Sequence, residues 1–537
     1  MRIGLDFDNT LVRYDHVFML ESKRLGMIPA NWTGAKQELR DELRSRPNGE
    51  QLWKTLQGRI YGLGMGQAVI FPGVASFLMR SKQRGEDLFI VSHKTEFGHF
   101  DSTKTPLHQT ALAWMESQGF FDQSRFGLAK ENVFFAGTRS EKVEQIARLN
   151  LDIFIDDLEE VFAEEEFPPI NKVLFNVKAK SHHHDLLCNN WTEIGQQLFG
   201  PMLDAEYKAL VQTFCREQIG NVTQLPGRGN SRIYRVLSNS GTSYALKSYP
   251  DLAIDSRPRL HNEVKACDFL KHLHLTPRSI AHDKELNLGL FEWVDGEPPG
   301  TIESTHIDQA LVFVEKLHEL TDDLHNDFPA ASEACFSAIE LFSQVQERMR
   351  KLESIENLEL QNFLQTSVKP LSEEIWEWSR SKWPTLSFAK ELAQSKQTLS
   401  PSDFGFHNSL ERSNGNLRFI DLEYFGLDDP VKLISDFLWH PAMDLKPEHK
   451  TRWLDGIFAI FDQDPDLPQR FRAAWPLYGL RWALITLNEF RQDSWQKRVH
   501  ANQELQQSQK QIQQRQLRKA AEICKRIRGG KMECPYV

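Results

Sequence analysis

Over the first third of the chain, short apolar runs alternate with stretches of helical spacing. RIGLDFD, EDLFIVSHK, NVFFAG, LDIFIDD and KVLFN are each separated by amphipathic segments. Buried strands that alternate with helices predict an α/β domain on a doubly wound parallel sheet, whose ligands sit at the carboxyl ends of the strands. Between the first two runs lie TGAKQELRDELRSRP and GEQLWKTLQGRIYGL, more helix than a strand-to-strand crossover needs, so positions of about 13–70 read as an inserted helical cap. The alternation stops near residue 195, which places a first domain at 1–195.

The pattern then changes. VTQLPGRGNSRIYRVLSNSGTSYALKSYP holds β-rich runs around Gly-containing turns, as hairpins do. A helix fits HNEVKACDFLKHLH and two strands fit RSIAHDKELNLGLFEWVDG. Beyond Gly296 the helical period dominates, broken by LSPSDFGFHNSL and NLRFIDLEYFG. A two-lobed α+β domain over 196–537 is expected, with a β-rich lobe at 196–296 and a helical lobe at 297–537. Leu505, Ile512, Leu517, Ile523 and Ile527 form one narrow apolar stripe, which predicts a terminal helix packed on this domain.

Composition narrows the function. A chain of 537 residues is too long for one core. A net charge of −10 argues against neutralising nucleic-acid phosphates or coating an anionic membrane, so neither partner is expected. Six cysteines without a C-x-x-C pair read as reduced structural thiols, and no apolar run is long enough for a signal peptide or a membrane span. A cytoplasmic protein is the expectation. SHHHDLL reads as a solvated loop, since three consecutive histidines cannot all face one ion from a regular element.

Asp6 and Asp8 end the first apolar run, followed by Asn9 and Thr10. Two carboxylates at i and i+2 past a strand end can share one Mg²⁺ while one attacks and the other handles protons. Later strand ends supply Ser92, then Asp156 and Asp157, and Lys142 opens the intervening helix. DFDNT, IVSHK, Lys142 and FIDD resemble the four motifs of the haloacid dehalogenase superfamily, in order, across about residues 1–195. The resemblance implies Asp6 as a nucleophile forming an aspartyl-phosphate, and Asp8 as its acid and base. It implies Thr10, Ser92 and Lys142 on the phosphoryl group, and Mg²⁺ among Asp6, Asp8, Asp156 and Asp157. Lys94 and Lys130 compete for the place of Lys142, which is preferred for its position before the fourth strand. The small cap implies a small phosphate ester as substrate.

The second domain carries a second series. Gly229, Asn230 and Ser231 form a turn between strands, Lys247 lies in a strand and Glu263 in the next helix. Asp403 and Asn408 keep D-x-x-x-x-N spacing, and Asp421 follows an apolar run. No G-x-x-x-x-G-K-[ST] occurs. From about 220 to 490 the chain resembles the aminoglycoside phosphotransferase and choline kinase family, a relative of protein kinases. The resemblance implies ATP on Lys247, steadied by Glu263, with adenine at the backbone of Glu292 to Val294. Asp403 would be the base for a small hydroxyl acceptor, Asn408 and Asp421 would bind Mg²⁺, and Asp436 would be structural. Pro401-Ser402 replaces the family's His-Gly before the base, and aromatic residues in WEWSRSKW and LRWALITLNEF are read first as core.

A kinase and a phosphatase working on one ester would only consume ATP. The expectation is therefore a bifunctional enzyme acting at different positions of a sugar or small alcohol, in precursor metabolism for surface glycans. The alternatives are nucleic-acid end processing, or a phosphatase regulated by a nucleotide-sensing kinase-like domain.

Overall fold

The computed structural model describes residues 1–100, 104–175, 183–226, 231–252, 255–321, 327–384, 388–495 and 509–536. Val133–Ala136, Asp87–His93, Arg2–Leu5, Ile153–Asp156, Asn171–Phe175 and Leu186–Cys188 form, in that order, a six-stranded sheet. Every pairing in it is parallel. Ile3, Leu5, Ile90, Val91, Ile153 and Ile155 are buried, as helices on both faces require. Three chain segments far apart in sequence thus end side by side, at the carboxyl ends of Arg2–Leu5, Asp87–His93 and Ile153–Asp156.

Between the first strand and the next, helices Asp15–Arg24, Lys36–Arg44 and Gly49–Tyr61 form the insertion. A short antiparallel pair, Val12–Arg13 with Val69–Ile70, closes it at the base. Phe18, Leu39, Leu43, Trp53 and Leu56 bury their side chains there, so the insertion has its own apolar contacts.

The boundary expected at 195 falls inside helix Trp191–Phe199. Trp191, Ile194 and Phe199 are buried, and Trp191 Nε1 donates to Thr10 O at 2.9 Å, so this helix belongs to the first half. The chain leaves it at Gly200, whose φ of 74° is a left-handed exit suited to glycine.

In the second half, Ser279–Asp283, Leu288–Glu292, Ser243–Ser248, Arg232–Ser238 and Ile219–Gln224 form an antiparallel five-stranded sheet in that order. Helix Arg259–Leu270 accompanies it. Long helices follow, including Ser304–Glu319, Ala338–Glu353, Pro430–Trp439 and Leu467–Thr486. Two small strand pairs sit among them: Thr398–Ser400 with Gly426–Asp428, and Ser409–Glu411 with Leu417–Phe419. Helix Gln509–Gly529 packs on Leu467–Thr486 and buries Ile512 and Ile527, with Ala520 and Cys524 between them. Leu517 and Ile523 are partly buried against the same core, while Leu505 lies outside the described residues. Among the described residues no helix is long and apolar enough to cross a membrane.

Candidate active sites

The first cleft lies at the carboxyl edge of the parallel sheet. Asp6 and Asp156 each follow or end a central strand, and Lys142 reaches between them from helix Arg139–Arg148, with Nζ 2.6 Å from Asp6 Oδ1 and 2.6 Å from Asp156 Oδ2. Thr138 caps that helix by accepting from Glu141 N, which fixes the turn from which Lys142 projects. Thr10 Oγ1 lies 3.1 Å from Asp6 Oδ2 and 3.3 Å from Asp157 Oδ1. Ser92 Oγ is buried with no hydrogen-bond partner among the described residues, a donor left open where a phosphoryl oxygen could accept.

Burial pushes the Asp6 carboxyl up to about 7. Lys142 opposes this, while Asp156 and Asp8 add to it. Asp157 is raised as well, again by burial first and then by Asp6 and Asp156. Carboxylate oxygens of Asp6, Asp156 and Asp157 lie within 4.8 Å of one another. Three carboxylates against one contacting ammonium leave excess negative charge in a largely buried cleft, and an oxygen-seeking divalent cation answers that chemistry.

Asp8, expected among the metal ligands, has other side-chain partners. Its carboxylate accepts from Tyr14 Oη at 2.5 Å and pairs with Lys94 Nζ at 2.6 Å, apart from the three-carboxylate group. Lys94, named above only as a rival to Lys142, is therefore a second lysine of the same cleft, buried between the rings of Phe7 and Tyr61. Lys130 is on the surface with Glu116. Two further groups had no sequence signal: Tyr14, and Lys36 of the insertion, whose Nζ donates to Asn9 Oδ1 at 2.6 Å. Of SHHHDLL, residues 181 and 182 lie outside the described residues, and His184 sits 3.7 Å from Glu159.

The second cleft lies between the antiparallel sheet and the helices. Lys247 Nζ is 2.7 Å from Glu263 Oε1 and 2.6 Å from Asp421 Oδ1, and Tyr249 Oη donates to Glu263 Oε2 at 2.6 Å. Burial alone would depress the lysine, yet Asp421 and Glu263 overcome it and hold the ammonium charged. Glu423 joins them: oxygens of Glu263, Asp421 and Glu423 fall within 4.8 Å of one another. Burial pushes Glu423 up to about 7, with Asp421 adding, although Arg259 pairs with it. Ser231 Oγ donates to Glu423 at 3.2 Å, whereas Gly229 and Asn230 lie outside the described residues.

Asp403 opens the loop before Ser409–Glu411. Asn408 Nδ2 donates back to Asp403 O at 2.9 Å, and Ile420 N donates to Asn408 O at 2.9 Å, which brings Asn408 beside Asp421. His407 Nε2 is 3.0 Å from Asp403 Oδ1, and His440 Nε2 is 3.8 Å from the same oxygen. Burial would raise the Asp403 carboxyl, but the bond and charge of His407, helped by His440, bring it down to about 2. Both histidines escaped the sequence reading, because only the fold brings His440 to the loop. Glu292 ends strand Leu288–Glu292 with its N–H on Arg278 O, and Val294 follows it in the same connection. Trp376, half-buried, packs on Phe342 and Phe388, whereas Trp482 stands edge-on to His440 and donates to Asp436 Oδ1 at 2.7 Å.

No protein-family model matches the chain. Over 162 residues it is 24% identical to a curated protein of Oceanobacillus iheyensis that carries a provisional nucleotidase name, a match spanning 29% of this chain and 77% of that one. Among solved structures, choline kinase LicA from Streptococcus pneumoniae aligns with 57% of this chain and 94% of its own, at 14% identity and a TM-score of 0.36. A spectinomycin phosphotransferase solved with ADP and spectinomycin aligns with 60% and 98%, at 12% identity and a TM-score of 0.41.

Proposed function

We propose that the chain joins a small-molecule phosphatase, at the parallel-sheet cleft, to an ATP-dependent kinase of a small hydroxyl compound, at the second cleft. One observation supports the reading above all. Each cleft gathers a buried lysine onto acids remote in sequence: Lys142 onto Asp6 and Asp156, and Lys247 onto Glu263 and Asp421.

In the first cleft Asp6 attacks the phosphorus of a monoester, and the bond to the alcohol oxygen breaks as Asp8 delivers a proton to it. Asp8 then takes a proton from water, which attacks the aspartyl-phosphate and frees Asp6. Ser92, Thr10 and Lys142 hold the phosphoryl oxygens. Asp6, Asp156 and Asp157 would hold Mg²⁺, which supplies charge neutralisation there. The nucleotidase name of the curated relative makes nucleoside monophosphates the first substrates to try, ahead of sugar phosphates.

In the second cleft Asp403 takes the proton of the acceptor hydroxyl, whose oxygen attacks the γ-phosphorus of ATP as the bond to ADP breaks. Lys247, steadied by Glu263, holds the nucleotide phosphates. Asn408 and Asp421 would hold Mg²⁺, with Glu423 close by.

Full-length protein incubated with a panel of nucleoside monophosphates and sugar phosphates, and separately with ATP, tests both halves. Asp6→Asn should abolish phosphate release and leave ADP formation intact, and Asp403→Asn should do the reverse. Phosphate release that survives Asp6→Asn would remove the aspartyl-phosphate assignment.

A further inference from the structure

The backbone just before Asp403 is held in a shape that its own sequence resists. Ser402 has a φ of 67°, and Asp403 N donates to Pro401 O at 2.9 Å, so Ser402 sits at the centre of a three-residue γ-turn in the left-handed region. A side chain with a Cβ is strained there, and glycine is not. The serine is tied down on three sides. Its N–H donates to Ser400 Oγ at 3.0 Å, its Oγ donates to Ser332 O at 2.9 Å, and the same Oγ accepts from Lys432 Nζ at 3.0 Å. Lys432 is fully buried, with its charge balanced by Asp428 at 3.1 Å and Asp436 at 3.0 Å, so its third contact is free to be a neutral hydroxyl.

A second device meets the carboxylate from the other side. The His407 and His440 rings stack in parallel, with centroids 3.9 Å apart and planes 4° apart, and both Nε2 atoms face Asp403 Oδ1. With Asp403 these two rings could also form a metal site. The tautomers argue against it. Ala442 N donates to His440 Nδ1 at 3.1 Å, which leaves the proton on Nε2, where a metal would need a lone pair. His407 Nε2 faces a carboxylate and so donates, while its Nδ1 is buried without a hydrogen-bond partner among the described residues.

The two devices share supports. Trp482 stands on the His440 ring and donates to Asp436, the carboxylate that also holds Lys432. We propose that Ser402 with Lys432, and His407 with His440, are positioning residues that jointly aim Asp403 at the acceptor oxygen. They stand in for the His-Gly pair that this loop lacks. Resting on the kinase reading, the proposal names what makes its base competent.

The test uses the full chain with Mg²⁺ and ATP, water serving as acceptor, and reads ADP release. Ser402→Ala keeps the strained backbone and loses the clamp, so kcat should fall about tenfold with KM for ATP within about twofold. Ser402→Gly needs no clamp and should retain most of kcat. His407→Ala should fall by a similar factor, about tenfold, and His407→Gln, which can still offer an N–H near the same place, should recover part of it. Circular dichroism and unfolding midpoints confirm which variants are folded, and the glycine and glutamine variants carry the test if an alanine variant is not. Wild-type kcat in both alanine variants, equal losses in each Ala/Gly and Ala/Gln pair, or losses in KM alone would overturn the proposal. ADP release by wild type no faster than by Asp403→Asn would instead overturn the kinase reading, and this proposal with it.

Discussion

Lys94 shows how one residue changes the chemistry of its neighbour. Its ammonium is buried against Asp8, so removing it strands the carboxylate that the proposed phosphatase mechanism cycles between acid and base. Lys94→Met is expected to lower phosphate release about 100-fold, the usual scale of a general acid–base contribution, while ADP formation is unchanged. Steady-state release from the best monophosphate checks it, and an unaltered rate would place Lys94 outside the mechanism. His440 makes a pH prediction. Burial, with His407 adding, lowers its ring from the ordinary 6.5 to about 4. The unfolded chain therefore binds a proton that the folded chain refuses, so the stabilisation is full above about pH 6.5 and is lost as pH falls towards 4. Between pH 7 and pH 5 this one group should cost about 2 kcal/mol of stability. Urea unfolding at the two pH values should show that loss shrink in His440→Phe, which keeps a stacked ring and cannot take up the proton. An undiminished pH slope in that variant would mean other groups dominate.

At the scale of elements, what could be read in the sequence was what repeats. The five apolar runs became five parallel strands because each is a continuous buried segment between helical spacers, and the acids and hydroxyl at their ends could be named before any contact was known. The boundary expected near 195 falls within helix Trp191–Phe199, because Trp191, Ile194 and Phe199 keep a helical period with no strand after it to mark membership. The stacked histidines lie 33 positions apart (440 minus 407) and meet only through the turn after helix Pro430–Trp439, and the positive φ of Ser402 has no signal in a serine. The terminal helix is a middle case. Its stripe was visible, but its contact was not: Ile527 Cδ1 lies close over Gly479, where an added Cβ would meet Trp439 at 2.8 Å and Ile527 at 3.0 Å. Ile527→Ala should therefore open a cavity at a tight helix crossing and cost about 3 kcal/mol in chemical denaturation. A change under about 1 kcal/mol would show that this helix frays without consequence for the domain.

The two halves of the molecule share buried packing as well as a chain connection. Buried side chains run without a break from the parallel sheet through Trp191, Tyr207 and Tyr234 to the antiparallel sheet. Across the join, Thr192 Oγ1 donates to Asp251 at 2.7 Å, and Arg125 lies 3.6 Å from Asp283. Arg80, buried in the first half, also reaches across: it donates to Glu206 Oε1 at 3.1 Å and to the carbonyl of Gly200, where the chain leaves that half. Glu206 also accepts from Arg84 at 3.1 Å, so one carboxylate answers two guanidinium groups at the point where the chain crosses over. Removing that carboxylate leaves Arg80 charged and buried without its counter-ion, a change that typically costs about 3 kcal/mol or more. Because the core is shared, the loss should fall on both activities. In Glu206→Leu the urea concentrations at which phosphate release and ADP formation disappear should shift down together, by the same amount. Two transitions that separate, with the phosphatase lost first and the kinase untouched, would show instead that the continuous core is too weak to make the halves fold as one unit.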